Sequence, residues 1–160
     1  MQTPLSFRPA TYADIPQILH FIKLLAEYEK LSNEVTATEA LLREWLFEKK
    51  KAEVIFAEIN QEVVGFALFF YNFSTFLGRA GLYLEDLYVK ESYRGKGYGK
   101  AILQELARLA VERGCGRLEW QCLDWNKPSI DFYLSLNARP MDDWTVYRLT
   151  GDTLLAMAKN

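Results

Sequence analysis

The stretch that decides the fold is Val89-Lys90-Glu91-Ser92-Tyr93-Arg94-Gly95-Lys96-Gly97-Tyr98-Gly99-Lys100, which predicts a strand running into a glycine-rich turn that opens a helix. Glycine allows bare backbone to come within hydrogen-bonding distance of phosphate oxygens. The free amides of the first helical turn then face the anion, with the helix dipole behind them. Arg94 and Lys96 add positive charge at the same place. The stretch therefore predicts a phosphate-binding loop.

Two other phosphate-binding loops do not fit this spacing. A kinase-type P-loop needs Ser or Thr after a Gly-Lys pair, and neither follows a Gly-Lys pair here. A Rossmann fingerprint needs Gly-x-Gly-x-x-Gly, whereas Gly95, Gly97 and Gly99 alternate strictly. On spacing alone, a flexible loop whose glycines only cap a helix stays open as the alternative.

The rest of the chain alternates between helical and strand-like periodicity. Helices are predicted over residues 13–30, from Thr36 with Glu39 in capping-box spacing, and over residues 99–112, 129–136 and 152–157. Strands are predicted over residues 5–8, 53–59, 63–73, 82–89, 117–122 and 144–149. This order predicts one domain over residues 1–160, with an α/β fold in which a mixed, mostly antiparallel sheet carries helices on both faces.

Composition and charge exclude several classes of function. Half of the 160 residues are hydrophobic and 25% are charged, which is typical of a globular protein. A formal net charge of -2 argues against nucleic acid as a partner, and no apolar run approaches the roughly 20 residues of a membrane span. We see no secretory leader, and Cys115 and Cys122 form no disulfide framework, so we expect a cytoplasmic protein. No Cys and His cluster predicts a metal site, and His20, the single histidine, argues against a Ser-His-Asp triad.

The glycine-rich loop resembles that of a known superfamily. The segment Arg94-Gly95-Lys96-Gly97-Tyr98-Gly99 matches the Arg/Gln-x-x-Gly-x-Gly/Ala signature by which GNAT N-acetyltransferases bind the pyrophosphate of coenzyme A. Further segments resemble the spermidine/spermine (diamine) acetyltransferase family: Arg8-Pro9-Ala10-Thr11 with Asp14, Ala26-Glu27-Tyr28-Glu29, Leu82-Tyr83-Leu84-Glu85-Asp86, and Asp124-Trp125-Asn126 with Asp131-Phe132-Tyr133. Ser74-Thr75 stands where the polyamine branch typically has Asp-Pro, so the chain looks more like the thialysine-acetylating branch.

The resemblance implies the GNAT fold, acetyl-CoA as co-substrate and direct transfer within a ternary complex. It also implies that backbone groups of a splayed strand pair with the pantetheine arm, and that the amide near Leu87 polarises the thioester carbonyl. The coenzyme-binding residues that it implies are Leu87, Val89, Arg94, Gly95, Lys96, Gly97, Tyr98, Gly99, Lys100 and Asn126.

Two residues are the candidates for catalysis. Tyr133 matches the general acid of the family, and tyrosine suits that role because a phenol is protonated at neutral pH; an ordinary aromatic on a short helix is the alternative. Glu85 is the candidate base, through a water molecule, because an alkylammonium is mostly protonated at pH 7. Strand alternation places Glu85 on the face of Leu87 and opposite Asp86, unless the strand is bulged. A hydrated strand end is the alternative for the acidic pair.

The amine site is assigned by the same resemblance. Its predicted residues are Tyr28, Glu29, Glu85, Asp86, Trp125 and Trp144, with Phe76 nearby, and aromatic faces beside a carboxylate suit an organic ammonium. Core or dimer packing is the alternative for Phe76 and Trp144. We expect the acceptor to be a small primary amine such as thialysine, a related amino-acid amine or a diamine, with polyamines disfavoured. The resemblance also implies a homodimer with the C-terminal strand at the interface. Acetylation of a lysine or N-terminal amine of a protein partner, and a non-catalytic acyl-CoA-binding module, stay open.

Overall fold

One five-stranded sheet organises the computed structural model, which describes residues 4–159. Its strands are β1 (Ser6–Pro9), β2 (Glu53–Ile59), β3 (Glu62–Ser74), β4 (Arg79–Val89) and β5 (Leu118–Trp120). The order in the sheet follows the chain, with three antiparallel pairs and a parallel β4–β5 pair. The predicted mixed, mostly antiparallel sheet is thus confirmed.

Among residues 4–159 the chain forms the α-helices α1 (Ile15–Tyr28), α2 (Glu39–Leu42), α3 (Tyr98–Glu112), α4 (Lys127–Ser135) and α5 (Gly151–Ala158). Of these, α1 and α3 lie on opposite faces of the sheet. Phe21 of α1 stacks on Phe66 of β3, with ring centres 4.9 Å apart, and so covers what we name the α1 face. A Cβ added at Gly65, the next residue of β3 toward its start, would lie 3.3 Å from Ile102 of α3, which therefore packs on the opposite face.

The chain divides into two compact units, residues 1–121 and 122–160. The first contains the five strands with α1, α2 and α3. The second contains α4 and α5. Within the part of the chain that the structure describes, no helix is both long and apolar enough to cross a membrane.

Most local predictions agree with the structure to within a few residues. The β2–β3 turn carries Asn60 and Gln61 at positive φ, as a tight hairpin requires. Gly114 closes α3 in the left-handed conformation at φ 76°, and the amide of Cys115 donates to the carbonyl of Ala110. These features were predictable because each depends on neighbours in the chain.

Three local predictions are wrong. The N-cap of α2 is Thr38, whose hydroxyl accepts from the amide of Leu41, and not Thr36. Residues 144–149 form no strand and have no ladder partner among residues 4–159, and a strand exists only where a partner supplies its hydrogen bonds. The cap residue of α5 is Thr150, so Asp152 lies inside the first turn.

Candidate active site

The glycine-rich loop leaves its backbone open to a ligand. After a 3-10 turn over Glu91–Tyr93, Gly95 and Gly97 adopt φ of 78° and 83°, and α3 begins at Tyr98. A Cβ added at Gly95, Gly97 or Gly99 would meet no heavy atom within 4 Å, so space lies in front of all three. The first amides of a helix have no partner within it. The loop therefore fits an anionic group such as a pyrophosphate.

The side chain of Arg94 turns toward the α1 face. Its Nε donates to the carbonyl oxygen of Val89 at 3.0 Å. Its guanidinium carbon lies 5.2 Å from the ring centre of Tyr28 and 5.0 Å from that of Tyr88. The side chain of Arg94 thus connects the loop to the end of α1. The sequence had instead predicted its positive charge beside the phosphate, and only the backbone of Arg94 remains part of the predicted phosphate-binding loop.

Strand β4 extends beyond its parallel partner β5. The β4–β5 ladder pairs Leu82 with Leu118 and ends where Leu84 meets Trp120. On its other side, β4 stays paired with β3 as far as Val89, and Leu87 lies opposite Ala67. Among the described residues, the end of β4 therefore pairs with β3 and not with β5. This is the arrangement that the resemblance implies for Leu87 and Val89.

A β-bulge at Glu85 changes the expected faces of the strand. Asp86 pairs with Leu68 and Leu84 pairs with the next residue, Phe69, so Glu85 is an extra residue of β4. The alternation that was expected to place Glu85 on the face of Leu87 does not hold here, because this extra residue interrupts it, which is the exception that the sequence analysis allowed. Asp86, through its partner Leu68, belongs to the α1 face, which is the face on which Leu68 packs.

Three carboxylates converge around the bulge. Burial, and after it the charges of Glu85 and Glu29, together raise the pKa of Asp86 to about 7. Burial and the charge of Glu85 also raise the pKa of Glu29, which follows the end of α1. We name Glu29, Glu85 and Asp86 the carboxylate cluster. Because like charges hinder ionisation of one another, the cluster favours the arrival of a cation.

Sequence reasoning missed a set of polar residues farther along the same face. Asn72 Nδ2 donates to Glu119 Oε1 at 3.1 Å, and Arg117 Nε lies 3.1 Å from the same oxygen. We name Asn72, Arg117 and Glu119 the distal cluster. Arg117 immediately precedes β5, and its spacing of two residues from Glu119 would place both on one face of the strand predicted over residues 117–122, a signal that was present in the sequence. Asn72 joins them only through the pairing of β3 with β4.

The remaining amine-site residue of the first unit is Tyr28, which is 41% exposed at the end of α1. Phe76, in the β3–β4 connection, is 97% exposed. A ring so exposed packs against little of the first unit, so core packing, one of the two alternatives for Phe76, is not what the structure shows.

The second unit carries the other predicted site residues. Asn126 caps α4, and its side-chain oxygen accepts from the amide of Ser129 at 3.4 Å. Tyr133 lies in α4, with its ring centre 5.6 Å from that of Phe132. Trp125 is half-exposed and Trp144 is 75% exposed.

Comparison with known proteins assigns the family. The model of the acetyltransferase (GNAT) family matches residues 19–137. The chain belongs to this family. It is 37% identical to a thialysine N-epsilon-acetyltransferase of Bos taurus, over 94% of this chain and 95% of that protein. It is 33% identical to an L-ornithine N5-acetyltransferase of Arabidopsis thaliana, over 95% and 87% of the two chains.

Solved structures agree with the GNAT fold. An integron cassette protein from the mobile metagenome of V. cholerae superposes with a TM-score of 0.81 at 27% identity, covering all of both chains. The protein is thus a GNAT acetyltransferase, and enzymes of this family use acetyl-CoA as co-substrate. Among residues 4–159, no group of three or more His, Cys, Asp or Glu side chains is arranged to hold a metal ion.

Proposed function

We propose that this GNAT acetyltransferase transfers an acetyl group from acetyl-CoA directly to the side-chain amine of a small basic amino acid, of the kind represented by thialysine and ornithine. The observation that carries the proposal is the carboxylate cluster, in which Glu85 and Asp86, at the bulge of the strand that leads into the glycine-rich loop, interact with Glu29 at the end of α1. The activities named for the relatives from Bos taurus and Arabidopsis thaliana support this class of acceptor.

The coenzyme site in this proposal comprises the loop and the end of β4. Backbone amides from Arg94 to Lys100 bind the pyrophosphate, for which the open space before Gly95, Gly97 and Gly99 leaves room. Leu87 and Val89 offer backbone groups to the pantetheine arm, since the ladder with β5 has ended before them. The bound coenzyme supplies a thioester whose carbonyl carbon accepts the amine while the carbon–sulfur bond breaks.

The carboxylate cluster binds the cationic amine and takes up its proton. An alkylammonium arrives protonated at neutral pH, and it must lose that proton before its nitrogen can form a bond. Glu85 is exposed and accepts the proton, directly or through water, while Asp86 and Glu29 hold the cation beside it. The like charges that raise the pKa of Asp86 also make the site a better proton acceptor than an isolated carboxylate.

The second unit supplies the acid in this proposal. Tyr133 gives its hydroxyl proton to the departing sulfur, Asn126 binds the coenzyme arm, and Trp125 and Trp144 contribute aromatic surface to the amine. The support for these roles is the resemblance of the segment around α4 to the diamine acetyltransferase family.

We further propose a homodimer in the cytoplasm. Large apolar side chains are exposed within each unit: Tyr71, Phe73, Phe76 and Leu77 in the first, and Trp144, Val146, Tyr147 and Leu149 in the second. Exposed apolar groups of this kind mark surfaces that bind a partner. Cys115 is a free thiol, which fits a reducing compartment. Sedimentation of the wild type and of Phe76→Asp tests the dimer, and a monomeric wild type would refute it.

The activity is tested by measuring acetyl-CoA consumption with thialysine, lysine, ornithine, putrescine, spermidine and peptides bearing lysine or a free N-terminus. We expect the amino acids to have the highest kcat/KM, and Glu85→Gln to lower it and change its dependence on pH. Glu34→Gln, at an exposed position, is the control. Turnover of peptides alone would favour a protein acetyltransferase, a wide preference for spermidine would favour a polyamine enzyme, and coenzyme binding without turnover would indicate a binding module.

A further inference from the structure

The distal cluster is built across three strands and depends on a glycine between them. Asn72 of β3 pairs with Gly81 of β4, and its side chain crosses above that glycine to reach Glu119 of β5. A Cβ at Gly81 would clash with Asn72 Oδ1 and lie 3.3 Å from Arg117 Cγ. The missing side chain therefore makes the bridge possible.

The same amide leaves one polar atom without a partner. Asn72 Oδ1 is buried and has no hydrogen-bond partner among the residues that the structure describes. A buried acceptor without a donor costs free energy, so folding alone does not account for this arrangement. The distal cluster thus contains one buried acceptor that no described residue satisfies.

The distal cluster and the carboxylate cluster flank one aromatic surface. Glu119 pairs with Tyr83 across the β4–β5 ladder. Burial raises the pKa of Tyr83, and the charges of both Glu85 and Glu119 raise it too, so this phenol lies within electrostatic range of both clusters. The ring of Phe70 lies 5.2 Å from that of Tyr83. An apolar chain laid on these two rings would join the clusters.

We propose that the distal cluster binds the α-amino-acid end of the acceptor, with the α-carboxylate on Arg117 and the α-ammonium on Glu119. This inference rests on the proposed function and names the part of the site that selects its substrate. The two protein charges are in direct contact, at 3.1 Å, and an α-amino acid carries its two opposite charges on one carbon. The ligand therefore presents a matching pair of charges in reversed order.

The spacing of the two clusters suits such a ligand. Two residues along a strand and one step across the sheet separate Glu85 from Glu119 by about 8 Å between backbones. A chain of four or five bonds between the reacting nitrogen and the α-carbon spans about 5–6 Å, which leaves room for a hydrogen bond at each end. Sulfur in such a chain would lie over the rings of Tyr83 and Phe70, a favourable contact.

A diamine of the same length fits less well. Arg117 and Glu119 together carry no net charge. The attraction of a lone ammonium group to Glu119 is therefore offset by its repulsion from Arg117. A zwitterion satisfies both groups. The structure thus accounts for a preference for amino acids over diamines without any clash of shape.

The experiment compares four acceptors of nearly equal length: lysine, cadaverine, which lacks the carboxylate, 6-aminohexanoate, which lacks the α-amine, and pentylamine, which lacks both. We expect the wild type to have the highest kcat/KM for lysine. Arg117→Gln should lower the ratio of kcat/KM for lysine over cadaverine by about tenfold, the effect of losing one partly exposed charged hydrogen bond. It should also raise kcat/KM for cadaverine, because Glu119 is then free to bind the second ammonium.

Glu119→Gln is the complementary variant, since glutamine keeps the shape and accepts from Asn72. It should lower the ratio of kcat/KM for lysine over 6-aminohexanoate by a similar factor. The matched control is the pair Arg113 and Glu53, another partly exposed ion pair, at 2.7 Å, joining α3 to β2. Arg113→Gln and Glu53→Gln should leave both ratios at wild-type values.

Equal kcat/KM for all four acceptors, or unchanged ratios in both variants of the distal cluster, would overturn the subsite while leaving the acetyltransferase activity established. If the enzyme acetylates none of the four acceptors, the proposed function is overturned, and the subsite with it. A variant that merely loosens the fold would lower all four values together, and this outcome also counts against the proposal. Opposite changes for lysine and cadaverine would establish it.

Discussion

The guanidinium carbon of Arg94 lies 5.2 Å from the ring centre of Tyr28, and so links the glycine-rich loop to the end of α1. Tyr88 holds the same guanidinium at 5.0 Å from its own ring centre, and Val89 accepts a hydrogen bond from Nε. Glu29, a member of the carboxylate cluster, follows Tyr28 directly. A change in the loop is therefore transmitted to the residues proposed to hold the amine.

Replacing Arg94 with lysine should weaken this link. Lysine keeps the charge but lacks the planar group that contacts both rings, so we expect the free energy of unfolding to fall by about 1 kcal/mol. The KM for the amine should rise several-fold, because Tyr28 and Glu29 are held less firmly. Chemical denaturation and steady-state kinetics measure the two effects, and Arg43→Lys, at an exposed position, is the control. Tyr28→Leu should add little to Arg94→Lys, whereas full additivity would show that the two residues act independently.

Gly97 is expected to be needed for the coenzyme as well as for the backbone. Its φ of 83° disfavours any side chain, so Gly97→Ala should cost about 1 kcal/mol of stability. Gly114 is a matched control, with φ of 76° and equally open surroundings at the other end of α3. Both variants should lose similar stability, while only Gly97→Ala should weaken the binding of acetyl-CoA measured by calorimetry. Equal affinity in the two variants would contradict the proposed pyrophosphate site.

Asp86 should make the stability of the protein depend on pH. Its pKa of about 7 in the folded state lies above the ordinary value of an unfolded aspartate. Between these two pKa values the folded protein keeps a proton on Asp86 that the unfolded chain releases. The stabilisation from that proton is complete below about pH 4 and is lost as pH rises to about 7, with a total of order 2 kcal/mol after allowance for partial exposure. Asp86→Asn should therefore lose less stability than the wild type between pH 5 and 8.

Denaturation by urea at several pH values measures this difference. Asp143→Asn, at an exposed position, should keep the wild-type dependence. Glu85→Gln should move the transition of Asp86 to lower pH, because it removes a negative charge that raises the pKa of that carboxyl. If Asp86→Asn and the wild type have parallel curves, Asp86 does not retain its proton on folding.

Tyr133→Phe tests the proposed acid. A positioned general acid contributes a factor of about 10²–10⁴ to the rate, so kcat should fall by this order while the affinity for acetyl-CoA stays near that of the wild type. Tyr147→Phe removes a hydroxyl from a residue that is 91% exposed in the same unit, and its kcat should be unaltered. Near-normal turnover of Tyr133→Phe would show that solvent or another group protonates the sulfur.

The parts of the site that could be predicted from sequence are those that a short segment specifies. The loop from Arg94 to Lys100 was recognisable because glycine, the strand before it and the helix after it are consecutive. The convergence of Glu29 with Glu85 and Asp86 was predicted only through resemblance, since α1 and β4 are far apart in the chain. The prediction of a strand over residues 144–149 was wrong for the same reason, because the local pattern does not indicate whether another strand pairs with it.

The sequence by itself determined the periodicity of α1 and α3, the β2–β3 hairpin and the glycine-rich turn, since these depend on side-chain spacing and on φ angles open to glycine. Only the tertiary structure decided that Glu85 is an extra residue in β4, because a bulge is a property of two paired strands. Likewise, only the pairing of β3 with β4 and of β4 with β5 brought Asn72 over Gly81 to Glu119. Register is fixed by hydrogen bonds and packing between strands, and no single segment contains that information.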